Sequence, residues 1–291
     1  VALGAELIDP AKYGPWVNKM VAAQQAQGGR QAGTGADGWG RQYYDDMNWA
    51  VLGLLAAHEA DPLNPLLLVT ARDIFTTIWE AWDTTTCGGG VWWNAQHGQK
   101  ATASNAGPAL AAVLLSDALD RQHQQPDRGG PVVPVLPNST AYRSWATKVY
   151  RFWNRTMTDP ATGAVTDHYN VSIEWSQCGK VIEGPFSCKY KTKLSVACVD
   201  CLSDRLCIVL SDNEGLMLGA ATVLGHAADA GRFASHLVMN QTVGTVLFDG
   251  CETSCKCCDC QSFKGIAIRE LARWLRSPIS HDGTVDPQLR V

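Results

Sequence analysis

The sequence predicts an all-helical protein built from successive helical hairpins. Three observations lead there: apolar residues recur with helical spacing along most of the chain, strand signals are sparse outside residues 181–210, and the connections are rich in Gly and Pro. Candidate helices are, in order, Lys19 to Gln25 or a little longer, Asp46 to Glu59, Leu66 to Trp82, Ala103 to Asp120, Ala141 to Met157, Glu214 to Ala230, Arg232 to Asn240 and Phe263 to Leu275. Glycine-rich or proline-rich breaks at 28–40, 87–90 and 125–137 separate several of them, and none reads as a domain linker. A chain of 291 residues can bury one large core or two small ones, and with no linker in view a single domain over 1–291 is the expectation.

The helix after Tyr43-Tyr44-Asp45-Asp46 is the most informative. From Met47 to Ala57 its only polar side chain is Asn48. A helix apolar on all sides is buried on all sides, and eleven residues are too few to cross a bilayer. Two adjacent carboxylates therefore stand at the mouth of a core helix, where burial is costly unless the group is bonded or working. Neighbouring acids push their pKa values apart, as a nucleophile and a proton donor require. Their alpha carbons lie about 3.8 Å apart, so the carboxyl groups can reach the roughly 5 to 5.5 Å spacing of retaining glycosidases. The competing reading is simpler: Asp at a helix start caps the helix and complements its dipole.

Composition narrows the classes. A net charge of -4 with 18% charged residues offers no basic surface for nucleic acid. Eleven Trp suit sugar sites, and also ordinary cores. Four Asn-x-Ser/Thr sequons, at Asn138, Asn154, Asn170 and Asn240, together with eleven Cys, point to a secreted, extracellular or cell-wall protein with disulfides. No leader is visible at Val1, so one has been removed or the chain is a fragment, and the polar end from Asp286 to Val291 is no lipid-anchor tail. Around 178–210 the helical period lapses among Cys178, Cys188, Cys198, Cys201 and Cys207. Two readings stand for this Cys-rich insertion: a disulfide-tied loop, or sequence foreign to the fold such as translated intron.

Further constellations carry chemistry. Cys87-Gly-Gly-Gly-Val-Trp92-Trp93-Asn94 combines a turn that lets backbone approach a ligand with two rings able to floor a sugar, although the glycines could merely stop a helix. Asn105 is neutral and bidentate, suited to hydroxyls. Asn213, in Ser211-Asp-Asn-Glu-Gly215, opens another helix and is a candidate substrate contact or a simple cap. Cys251 to Cys260 could hold zinc by count, but the irregular spacing favours disulfides. Neither a nucleophile elbow nor a phosphate-cradling loop occurs, and no cofactor is implied.

Taken in order, Tyr-Tyr44-Asp45-Asp46-x-x-Trp49, Cys87-Gly-Gly-Gly-Val-Trp-Trp93, Lys100 with Ser-Asn105, Asn213-Glu-Gly215, Cys251-Glu-x-x-Cys255 and Phe263-Lys264-Gly265 resemble glycoside hydrolase family 76, the endo-α-1,6-mannanases and their fungal cell-wall relatives. The resemblance runs from about residue 43 to 275. It implies an (α/α)6 toroid, a retaining mechanism on α-1,6-linked mannan or a mannose-containing cell-wall glycan, and no metal. By it Asp45 is the nucleophile and Asp46 the acid/base, with Tyr44, Trp49, Trp92, Trp93, Asn105, Asn213 and Lys264 contacting substrate. The family shows an aromatic where Asp212 stands, and the toroid is expected to be incomplete at both ends. A monomeric endo-acting mannanase is the leading expectation. A transglycosidase moving mannan or anchor glycans, and a non-catalytic mannan-binding relative, are the alternatives.

Overall fold

The computed structural model describes residues 43–97, 99–124, 138–169, 210–244, 246–249 and 260–281, together with Pro15, Lys19, Ala22 and Ala23. Most of the Lys19 to Gln25 helix, nearly all of the insertion at 178–210 and the Cys251 to Cys258 cluster lie outside them. Among the described residues there are seven α-helices: α1 (Tyr44–Ala60), α2 (Pro65–Glu80), α3 (Ala106–Gln124), α4 (Ser139–Met157), α5 (Ser211–Leu224), α6 (Ala227–Asn240) and α7 (Cys260–Leu275). A 3-10 turn, Pro278–His281, follows, and the strands are two residues each. The expected all-α class is what the chain adopts.

The chain folds as two compact units. The first holds residues 1–100 and 107–149. Here α1 and α2 form a hairpin whose short connection is set by chemistry at Asn64 and Pro65. The Asn64 side chain accepts from the Leu66 amide at 3.2 Å, and Pro65, which lacks an N–H, takes the first helical position where none is needed. Met47, Val51 and Leu54 from α1, and Leu67, Leu68, Ala71, Ile74, Phe75 and Ile78 from α2, are almost wholly buried. The run Ala109 to Val113 in α3 is fully buried, as its all-apolar sequence requires. In α4 the large rings recur at helical spacing. Phe75 meets Tyr142 and Trp145 edge-on at 5.7 and 5.4 Å, and Trp79 stacks on Trp145 at 5.3 Å.

The second unit holds residues 101–106 and 150–291. Its axis is α5, in which every residue from Ser211 to Thr222 is buried, packed by α6 and α7. Gly215 makes the close approach possible: a Cβ there would stand 2.6 Å from the Ala267 alpha carbon of α7. Tyr150 stacks on His226 at 5.0 Å, and the Asp229 carboxylate accepts from the Tyr150 hydroxyl and the Asn154 amide. One boundary differs from the sequence expectation. The break between α5 and α6 falls at Gly225, not near Gly231, because Gly225 takes the left-handed conformation (φ 78°) that ends a helix. Gly231 instead rides inside α6.

Candidate active site

The two acids sit in the first turn of α1, after Tyr43, whose side chain makes no capping bond. Neither Asp45 nor Asp46 is the N-cap residue, so the capping expectation does not describe this helix start. Instead the Trp93 indole N–H donates to Asp45 Oδ2 at 2.9 Å, across 48 positions of sequence. Asp45 Oδ1 is buried and has no hydrogen-bond partner among the described residues. Burial pushes the Asp45 pKa up from the ordinary 3.8 to about 6; the Trp93 N–H works against that rise, the neighbouring Asp46 charge adds to it, and first-turn amides lower it. Asp46 is exposed. One carboxylate is thus held, desolvated and left with an uncommitted oxygen, while its neighbour faces water.

Trp93 is placed by its backbone. Its N–H donates to the Gln99 carbonyl at 2.7 Å and its carbonyl accepts from the Tyr44 amide at 2.8 Å, so the strand-like segment through Trp93 is tied to the start of α1. The Tyr43 ring leans on the Trp93 ring at 4.8 Å. Upstream, Cys87 (disulfide-bonded), Gly88, Gly89 and Gly90 have φ of 56°, 76°, 148° and 106°. Four successive residues in the left-handed half of the map explain why three of them are glycine. The turn closes over Lys100, whose buried ammonium donates to Asp83 Oδ2 at 2.9 Å, the Thr86 carbonyl at 2.8 Å and the Gly89 carbonyl at 2.5 Å. Asp83 also accepts from the Thr85 amide and hydroxyl and the Thr86 amide. Those donors hold its carboxyl well below the usual range although burial opposes them.

The other expected contacts divide. Tyr44 is half-buried, with its phenol pushed upward by burial, and Trp49, half-buried, lies one turn along α1 on the face of Asp45. Trp92 departs from the expectation of a sugar platform. It is 5% exposed, with its ring stacked on His97 at 4.6 Å and lying 4.7 Å from the Lys100 ammonium. Trp92 is turned inward, while its neighbour Trp93 is half-buried. Asn105, in the second unit, is also corrected: it is fully buried, and its amide donates to the Ala101 carbonyl at 2.8 Å, holding the turn before α3.

Also in the second unit, Asn213 is fully buried and donates to Asp167 Oδ1 at 2.7 Å. The helix start around it is acidic. Asp249 takes the Ser211 amide and hydroxyl at 2.7 and 2.6 Å. Burial raises the Asp212 pKa well above the carboxylate norm, with Asp167 adding to the rise. Glu214 pairs with His236, and burial lifts its carboxyl to about 7. Lys264 is half-buried on α7. Sequence reasoning missed Asp83, Asp167 and Asp249. For Asp83 a signal existed, the Asp-Thr-Thr run after a helix end that favours a side-chain-to-backbone turn. No group of three or more potential metal ligands occurs among the described residues, and no described helix is long and apolar enough to cross a membrane.

The geometry is that of an all-helical protein with two adjacent carboxylates at a helix start, an indole N–H on one of them and a glycine turn leading to that indole. Residues 6–199 match the profile of glycosyl hydrolase family 76, and the chain belongs to that family. No protein with a curated description matches it. Among solved structures, an inactive variant of the α-1,6-mannanase GH76A of Salegentibacter sp. HEL1_6, with two adjacent Asp changed to Asn and α-1,6-mannotriose bound, is similar at a TM-score of 0.59 and 20% identity, over 84% of this chain and 60% of that one. The Lin0763 protein of Listeria innocua is similar at 0.59 and 18%, over 80% and 55%. Dfg5 of Chaetomium thermophilum, in complex with glucosamine, is similar at 0.57 and 20%, over 80% and 52%. At these identities the likeness is one of fold, an all-α one. The chain spans about 60% of the length of the mannanases it matches.

Proposed function

We propose that this chain is a retaining glycoside hydrolase that cleaves α-1,6-mannosidic links within mannan, with Asp45 as nucleophile and Asp46 as acid/base. The observation that carries the proposal is the state of Asp45: one oxygen oriented by the Trp93 N–H, the other buried and uncommitted. An attacking carboxylate needs that division, one oxygen fixed and one free. With a pKa of about 6 it is ionised at neutral pH. Asp46, exposed, exchanges protons with water, as a residue that donates and then reclaims a proton must. Asp45 Oδ1 bonds to the anomeric carbon as the glycosidic C–O bond breaks and the departing oxygen takes the Asp46 proton. Water, deprotonated by Asp46, then displaces Asp45 and regenerates both groups.

The family membership, the bound mannotriose of the Salegentibacter enzyme and the inactivity of its doubly Asn-substituted variant support the substrate and the paired acids. Within the first unit, Tyr44, Trp49 and Trp93 are the proposed sugar contacts. Secretion is part of the proposal, supported by the sequons and the Cys content. The family resemblance to fungal cell-wall relatives motivates one second reading, in which a glycan hydroxyl replaces water and the reaction is a transfer. Incubation of the full chain with linear α-1,6-mannan tests the first. Oligosaccharide release by the parent, and none by Asp45→Asn or Asp46→Asn variants that fold, is the expected result. A folded parent that releases nothing sinks the hydrolase, and elongated products on an added acceptor sugar would favour transfer.

A further inference from the structure

We infer that Lys100 is a positioning residue for Asp45, acting through the glycine turn and Trp93; the inference rests on the nucleophilic role proposed for Asp45. A buried ammonium is stable only when its donors are satisfied. Lys100 has three N–H donors, and three oxygens receive them: Asp83 Oδ2, the Thr86 carbonyl and the Gly89 carbonyl. Its side chain is 0% exposed. It therefore has no donor to spare for a sugar, and its work is internal.

That work is to fix a glycine turn that has great backbone freedom of its own. Thr86 precedes the left-handed run and Gly89 lies within it, and the carbonyl of Gly90, its last residue, accepts from the Asp83 amide at 2.9 Å. The segment then pairs Val91 with Trp82, and Trp93 with Gln99 on one side and Tyr44 on the other. Gln99 is the residue beside Lys100, so the cation anchors both the approach to Trp93 and the chain that hydrogen-bonds it. At the end of this relay stands the indole N–H on Asp45 Oδ2. The charge that acts on Asp45 directly is that of Asp46, so the influence of Lys100 on Asp45 is geometric. Losing it slackens the turn, lengthens the indole bond and removes the interaction that favours the carboxylate.

The test reads the ionisation of Asp45 in the full-length chain without any substrate, by pH-dependent carbodiimide labelling and mass spectrometry. Trp93→Phe keeps a ring but deletes the N–H, and is expected to weaken the acidity of Asp45 about three- to tenfold. Lys100→Met is expected to move it in the same direction. The double variant is expected to move it no further than Trp93→Phe alone, because both act through one bond. A residue that merely supports the fold would lower the melting temperature and leave the Asp45 midpoint alone, and that result in Lys100→Met overturns the inference, as does full additivity in the double variant. Should Lys100→Met fail to fold, Asp83→Asn decides: a shift in the same direction supports the relay and an unmoved midpoint overturns it. The labelling needs no turnover, so a chain that cleaves no mannan yet shows these shifts loses the proposed activity and keeps the relay.

Discussion

Replacing Asp45 with Asn is expected to stabilise the protein at neutral pH and to do almost nothing at acidic pH. Burial raises the Asp45 pKa from 3.8, its value in the unfolded chain, to about 6. The unfolded chain therefore gives up this proton more readily than the fold does, and ionisation favours unfolding. The sign follows: below about pH 3.8 both states hold the proton and no penalty exists, it builds as pH rises from 3.8 to about 6, and above that it is constant. Each pKa unit is worth about 1.4 kcal/mol, so the full penalty is about 3 kcal/mol above pH 7 and about 0.5 kcal/mol at pH 4. Asn carries no charge and still offers an acceptor to the Trp93 N–H, so the variant escapes the penalty with the bond kept. Paired urea titrations of parent and variant at pH 4 and pH 7.5, followed by Trp fluorescence, measure the difference. A gain about 2 kcal/mol larger at the higher pH is expected, which moves the midpoint by about 0.7 M urea for an m-value of about 3 kcal/mol/M. An equal gain at both values, or a loss at pH 7.5, would refute the claim that this carboxylate is held against its ionisation.

The same group sets the acid limb of the proposed activity: kcat/KM on mannan is expected to fall about tenfold per pH unit below pH 6, and a limb near pH 4 would show that Asp45 is not the group titrating. Asp46→Asn is expected to lower kcat by about 10²- to 10⁴-fold on substrates with poor leaving groups and by much less on activated aryl glycosides, which steady-state kinetics on both will check. Gly215→Ala would drive a methyl into the Ala267 backbone of α7, at a cost of about 1 to 3 kcal/mol visible as a lowered melting temperature. Asp249→Ala strips the Ser211 amide and hydroxyl of their shared acceptor at the start of α5 and is expected to cost about 1 to 3 kcal/mol by denaturant unfolding.

The parts of the fold that were legible in the sequence are those written in local pattern. Met47 to Ala57 could be read as a buried helix because its residues leave no polar face, and the Asn64-Pro65 start of α2 and the amphipathic spacing of α4 are likewise local statements. Gly225 and Gly231 show where such reading ends: both are glycines in a helical stretch, and only the packing of α6 decides which one takes the left-handed turn. At the candidate site, residue types could be nominated but not their pairings. Asp45 and Trp93 were both candidates, yet the bond between them spans 48 positions, and Lys100 looked like a motif member until Asp83 and two carbonyls converged on it. Trp92 and Trp93 were indistinguishable as letters. Trp92 is buried against the Lys100 ammonium and Trp93 is half-buried with its N–H on Asp45, a division set by contacts distant in sequence.

The turn from Cys87 to Gly90 has a consequence for how this protein can change. Its shape is stored in torsion angles that side chains obstruct, so the usual currency of adaptation, swapping one residue for another, is nearly closed there. Even a methyl at Gly88, Gly89 or Gly90 would oppose the conformation that aims the following indole. New preferences of the proposed activity would have to arise on the aromatic rim of Tyr44 and Trp49, because the Trp93 N–H is already committed to Asp45. A library that randomises the glycines would mostly return unfolded or misaligned chains, whereas one that varies the aromatic rim would sample altered recognition on an intact frame.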